Sequence, residues 1–171
     1  MNKYLFLGLF CILSFASLYA HATTDGGRPI NWTQWIGRFH LIILHLPIAL
    51  IIMTAVAELL FTLFPSAIYD YASRFMIVAA AFVALPTALL GLIYSTTFTF
   101  NGILADFIFW HMMFGISTAL LAIYVAYLRV KDGRSTLYLS CLAILLLFVS
   151  VTAFLGGGVT FGPNHMSLPL N

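Results

Sequence analysis

The chain has 171 residues, 63% of them hydrophobic and 7% charged, with a mean hydropathy of +1.06. A soluble domain carries roughly a quarter charged residues, so this composition excludes a water-soluble globular protein and puts the chain in a lipid bilayer. A formal charge of +2 is too small to suggest a nucleic-acid partner or an electrostatic membrane tether.

Residues 1–22 have the pattern of a cleavable secretory signal peptide. Lys3 supplies the positive start, Tyr4 to Leu18 the apolar core, and Ala20-His21-Ala22 the small-residue cleavage site. Left uncleaved, the segment would add a fifth helix. Cys11 and Cys141 fall in separate apolar runs, so no disulfide is expected, and the absence of C-x-x-C-H excludes covalently attached c-type haem. Thr23 to Ile36 is polar and rich in turn formers; its Trp32 and Trp35 suit the headgroup level, where an amphipathic ring sits half wet.

Residues 23–171 are expected to form one domain with four spans, at 39–64, 75–95, 107–128 and 137–155. Each is near the ~20 residues a helix needs to cross a hydrocarbon core about 30 Å thick. Short connections force neighbours to run antiparallel, so the predicted fold is all-α, an up-down four-helix transmembrane bundle. Arg74 lies between the first two spans, and Arg129, Lys131 and Arg134 between the last two, against Arg28 and Arg38 on the other side. Basic residues favour the cytoplasmic side, and a cleaved signal delivers the mature N-terminus outward. Both arguments predict a multi-pass protein of the bacterial inner membrane with both mature termini periplasmic.

The first span opens with Phe39 to Leu50, F-H-L-I-I-L-H-L-P-I-A-L, which sets two histidines and a proline in a run apolar enough to cross the membrane. Ionisable groups at that depth are costly and usually face a bundle interior, a cavity or a partner. Pro47 also strips a donor from the helix ladder and leaves the carbonyl of Ile43 in need of another partner. With the predicted topology His40, His45, His111 and His165 all gather on the outer side. Small residues permit close helix packing in lipid. Ala80, Ala84, Thr87, Gly91 and Ser95 form such a stripe on the second span, and His111, Gly115, Thr118 and Ala122 one on the third.

His40 and His45 are five residues apart, about 140° around a helix, so one undistorted helix cannot aim both at one atom. His40 shares its face with Leu44, Pro47, Ile51, Thr54 and Glu58, and His45 shares its own with Ala49, Ile52 and Val56. Depth favours His45 as the partner of His111, with His40 as the substitute. Glu58 and Arg74, at the cytoplasmic ends of adjacent spans, are expected to pair as a structural clamp. Asp70, Asp106 and Asp132 are expected to be solvated, Met112 and Met113 to pack, and Pro86 to kink the second span.

Three functions fit these residues. Two inward imidazoles on different spans can hold a non-covalent b-type haem for electron transfer, with Gly91 and Gly115 making room for the macrocycle. His111, His165 and a first-span histidine, His40 or His45, can supply imidazoles to zinc or copper. Alternatively the histidines are structural and the protein is a non-catalytic membrane subunit or scaffold. Without a nucleophile–base pair, a phosphate-binding loop or paired carboxylates, a stand-alone enzyme such as a hydrolase or kinase is disfavoured.

F-H-L-I-I-L-H-L-P-I-A-L resembles the F-H-P-L-L-V-H-F-P-I-A-L opening of a widespread family of uncharacterised bacterial four-helix membrane proteins. A-D-F-I-F-W-H (Ala105 to His111) and F-L-G-G-G-V-T-F-G-P-N-H-M (Phe154 to Met166) are similar to that family's third-span opening and its G-H-L-G-G-x-L-x-x-G tail. Some members are fused to planctomycete-type cytochrome c modules. The resemblance implies four spans and a link to a cytochrome or other respiratory or haem-bearing partner; quinone, like contact with the lipid bilayer, is an expectation from the residues themselves. Leu41 stands where the family has proline, and Phe154 where some members carry a histidine, which leaves His40, His45 and His111 as the matched candidates.

Overall fold

The computed structural model describes residues 31–165; the signal peptide assigned to 1–22 lies outside them. The described chain is all helix: α1 Trp32–Gly37, α2 Phe39–Ile43, α3 His45–Leu63, α4 Ala67–Ser95, α5 Ile103–Lys131 and α6 Thr136–Phe161. The first three run on as one span, Trp32–Leu63, so four helices are long and apolar enough to cross a membrane. They form the expected up-down four-helix bundle.

The interruption between α2 and α3 has a covalent cause. Pro47 cannot donate to the carbonyl of Ile43, and its ring crowds that carbonyl. The helix therefore breaks at Leu44, which keeps helical dihedrals (φ −55°, ψ −28°) and still donates to the His40 carbonyl at 2.9 Å. Pro86, by contrast, sits inside α4 without ending it.

The helices outrun the predicted spans. Residues 67–74, set aside as a connection, are the first two turns of α4, and α6 runs through the triple glycine to Phe161. Trp32–Gly37, expected among turn formers, is helical, with the Asn31 side chain capping it by accepting from the Gln34 amide at 3.1 Å. This turn lies close on α4: a Cβ at Gly37 would come within 2.7 Å of the Tyr94 Cα. The chain reverses between α5 and α6 at Gly133, whose φ of +63° is costly for any residue with a Cβ.

The core is a ladder of small and branched side chains, with Ile51, Ile77, Ala80, Ala122, Val125 and Leu145 fully buried. The two hairpins present this ladder in matching register. A shift of 71 residues carries His40, Pro47, Ile51, Thr54 and Glu58 of the first span onto His111, Thr118, Ala122, Val125 and Arg129 of α5. A shift of 65 carries Ser73, Ile77, Ala80, Ala84, Thr87 and Gly91 of α4 onto Tyr138, Leu142, Leu145, Val149, Thr152 and Gly156 of α6. Nearly every residue in both sets is buried or half-buried. The two helical hairpins thus repeat one pattern of core-facing positions.

Candidate functional site

At one end of the bundle, each hairpin holds one histidine in the same way. The His40 Nδ1 lies 2.9 Å from the carbonyl of Thr87, and the His111 Nδ1 lies 2.9 Å from the carbonyl of Thr152. A helical carbonyl at position i is normally overhung by the side chain at i+4. Here that position is glycine both times, in T-A-L-L-G (87–91) and T-A-F-L-G (152–156). A Cβ at Gly91 would come within 2.9 Å of the His40 Nδ1 and Cε1; one at Gly156 would come within 2.9 Å of the His111 Cε1. The missing side chains are what let the imidazoles reach the carbonyls.

That contact fixes the tautomer. A carbonyl oxygen only accepts, so Nδ1 carries the hydrogen on both rings and Nε2 keeps its lone pair. Among the described residues no hydrogen bond reaches either Nε2. The two rings have centroids 6.3 Å apart and planes inclined at 80°. One metal ion bound by two opposed imidazoles, with bonds of about 2.0–2.1 Å, sets the ring centroids about 6–6.5 Å apart. Backbone anchoring of the other ring nitrogen is the usual way such ligands are oriented.

The pair lines a partly open cavity of about 890 Å³, within the roughly 300–1,000 Å³ range of small-molecule and cofactor sites. All four spans contribute, and the walls are apolar apart from the imidazoles and a few hydroxyls. Gly115, Ala88, Ala119 and Ala153 keep the space between the helices wide. A Cβ at Gly115 would meet only the Thr152 methyl, at 3.7 Å. The Thr118 hydroxyl donates to that of Thr152 at 3.2 Å, which in turn donates to the Phe148 carbonyl at 2.8 Å.

The ring that meets His111 is therefore that of His40, whereas depth in the membrane favoured His45. His45 lines the same cavity but is exposed, on another face of the span. His165 belongs to a different cluster: its Nδ1 donates to the Gly162 carbonyl at 3.0 Å, and its ring packs on Gly157 and, 5.2 Å away, Phe154. Among the described residues no three His, Cys, Asp or Glu side chains gather as a metal site. Gly91 and Gly115 both line the cavity. Gly156 and the carbonyls of Thr87 and Thr152 were not singled out from sequence, although the repeated T-A-x-L-G was there to be found.

The opposite end explains why the His40 face points inward. Glu58, five turns from His40, is 5% exposed. It accepts from the Arg134 Nε at 2.7 Å and the Tyr138 hydroxyl at 2.9 Å, with the Arg129 Nε at 3.5 Å. Arg129, 4% exposed, also donates to the Asp70 carboxylate and carbonyl and to the Ser73 hydroxyl. The expected Glu58–Arg74 clamp is replaced by this network: Arg74 points outward and is exposed, and its neighbour Ser73 is the buried one. Asp70, expected to be solvated, is an ion-pair partner. A charge this deep turns its face towards its partners, and His40 lies on the same face. No family model, no curated protein and no solved structure matches this chain.

Proposed function

We propose that this protein is an inner-membrane b-type haem protein whose iron is held by His40 of the first span and His111 of α5. One observation carries the reading: two perpendicular imidazoles stand 6.3 Å apart, each with Nδ1 engaged by a backbone carbonyl. Two nitrogen ligands, with no carboxylate or thiolate beside them among the described residues, suit haem better than zinc or copper, which take three or four protein ligands. The walls of small apolar residues leave room for a flat macrocycle. Haem so ligated supplies one-electron transfer, and the levers available to the protein are ligand identity, hydrogen bonding and burial.

The chain's own residues do the rest. The carbonyls of Thr87 and Thr152 hold the imidazoles in one tautomer and one orientation. Gly91 and Gly156 permit that approach, and the apolar lining excludes water. The function that fits is electron transfer with a membrane or periplasmic redox partner, a cytochrome or a quinone, rather than turnover as a separate enzyme.

Four basic residues, Arg74, Arg129, Lys131 and Arg134, lie at the Glu58 end, and Arg38 at the histidine end. This favours a periplasmic histidine site with both mature termini on that side. The resemblance of the first span to a family with cytochrome fusions agrees with a respiratory partner.

Haem titration into detergent-purified protein tests the reading. A saturable one-to-one rise of a sharp Soret band, lost in both His40→Ala and His111→Ala but kept in His165→Ala, is expected. Equal uptake by the wild type and the two ligand variants would refute it.

A further inference from the structure

The repeat is broken at one rim of the cavity, and the break has a direction. The shift that carries His40 onto His111 carries His45 onto Ile116. Helix packing departs from twofold symmetry as well: α4 packs closely on α5, whereas the equivalent pair, α6 and α3, meets sparsely. The cavity lining reflects this. Leu41, Leu44, His45 and Ile48 all lie on one flank of the His40 face of the first span, and they line the cavity together with Gly157 and Thr160 of α6. The seam between α3 and α6 is the loosest in the bundle and so the natural opening from the cavity to lipid.

His45 stands at that opening. Among the described residues it is the histidine that makes no hydrogen bond and no ring contact, whereas His40, His111 and His165 each engage a carbonyl. An exposed, ionisable side chain with no protein partner at bilayer depth is costly and marks a binding or transfer site.

We infer that a lipid-soluble quinone enters between α3 and α6 and is held by a hydrogen bond between one ring oxygen and the free imidazole of His45. The inference rests on the redox reading above, since it names the partner class of the same cavity. A quinone head is flat and apolar except at its ring oxygens, which matches an apolar slot whose mouth offers the imidazole of His45, the Thr160 hydroxyl there being engaged by the Gly156 carbonyl at 2.9 Å. A neutral imidazole can donate to the carbonyl of the oxidised ring and accept from the hydroxyl of the reduced one. The isoprenoid tail stays in the bilayer outside the gap. A phospholipid acyl chain fits the gap but has nothing to offer an imidazole.

The test is binding of decylubiquinone to the full protein in nanodiscs, followed by tryptophan quenching, with the Soret band recorded on the same samples. His45→Ile installs the residue that the second hairpin carries at the equivalent place, an apolar side chain at an exposed position of a membrane span. Saturable binding by the wild type, weakened about tenfold or more in His45→Ile by loss of one hydrogen bond in an apolar site and largely restored in His45→Gln, supports the inference. Equal affinity in wild type and His45→Ile means a lipid-like slot and overturns it, as does absence of saturable binding. A Soret band lost in His45→Ile makes His45 an iron ligand, which also overturns it. Colourless wild-type protein counts against the haem reading whatever the quinone does, so the two failures are distinguishable.

Discussion

Replacing Glu58 by Gln tests whether the buried charges at the end of the bundle opposite the histidines hold the histidine face inward. Glu58 and Arg129 are 6% and 4% exposed at their side chains. The substitution removes one of two acidic partners and leaves the cluster of Glu58, Asp70, Arg129 and Arg134 with an uncompensated positive charge. The Arg129 Nε, which is buried and makes no hydrogen bond, loses the carboxylate 3.5 Å away. Removing one member of a buried pair costs about 3–5 kcal/mol, because the other is left desolvated and unpaired. Asp70 still holds the far side of the guanidinium, so the lower figure, about 3 kcal/mol, applies. At roughly 2–4 °C per kcal/mol for a chain of this size, the melting temperature in detergent should fall by about 6–12 °C. Arg134→Gln is the control: the pair it breaks is 28% exposed on the arginine side, and the Glu58 left behind keeps Arg129 and the Tyr138 hydroxyl, so a loss of no more than about 1 kcal/mol is expected. Thermal melts of the three proteins, followed by circular dichroism, decide the matter. A Glu58→Gln loss below about 1 kcal/mol, or one no larger than that of Arg134→Gln, would refute the reasoning.

The glycines at the site make a second contrast. Gly91→Ala and Gly156→Ala each put a methyl about 2.9 Å from an imidazole, an overpacking cost of about 1–3 kcal/mol against a helix-propensity gain of about 0.8–1 kcal/mol. Both should weaken haem uptake and leave stability unchanged or lower, whereas Gly115→Ala, 3.7 Å from the Thr152 methyl and touching neither imidazole, should melt no lower than wild type. Uptake unchanged in both Gly91→Ala and Gly156→Ala would deny these glycines their role in seating the histidines. Topology is checked by single cysteines at Ser66 and Asn101 in a Cys141→Ala background. An impermeant maleimide applied to intact cells should label position 101 and not 66, and the reverse pattern would invert the membrane orientation.

The four spans were legible because an apolar run of bilayer length has few other uses. Their ends were not. Residues 67–74 carry tyrosines, Asp70 and Arg74, which lower the hydropathy, yet the backbone stays helical because Asp70 and Ser73 find Arg129 across the bundle. The choice between His40 and His45 turned on the same hidden fact. The face shared by His40 and Glu58 was visible in the spacing, but depth said nothing about rotation, and rotation is set by where Glu58 finds its cations. Chain proximity suggested Arg74 from the next helix. The partners actually come from α5 and the turn after it, which spacing along one chain does not encode. The repeat was readable in T-A-L-L-G and T-A-F-L-G, but five residues acquire meaning only when both threonine carbonyls are seen to receive a histidine.

The most direct test of the haem account is the low-temperature electron paramagnetic resonance spectrum of the ferric, haem-loaded protein. Axial ligand identity and orientation are primary controls on haem iron. Imidazole planes inclined at 80° leave the two iron π-type orbitals nearly equal in energy, so a strongly anisotropic low-spin signal with one dominant low-field feature is predicted. A high-spin signal, or the rhombic low-spin signal of parallel rings, would contradict the pairing of His40 with His111.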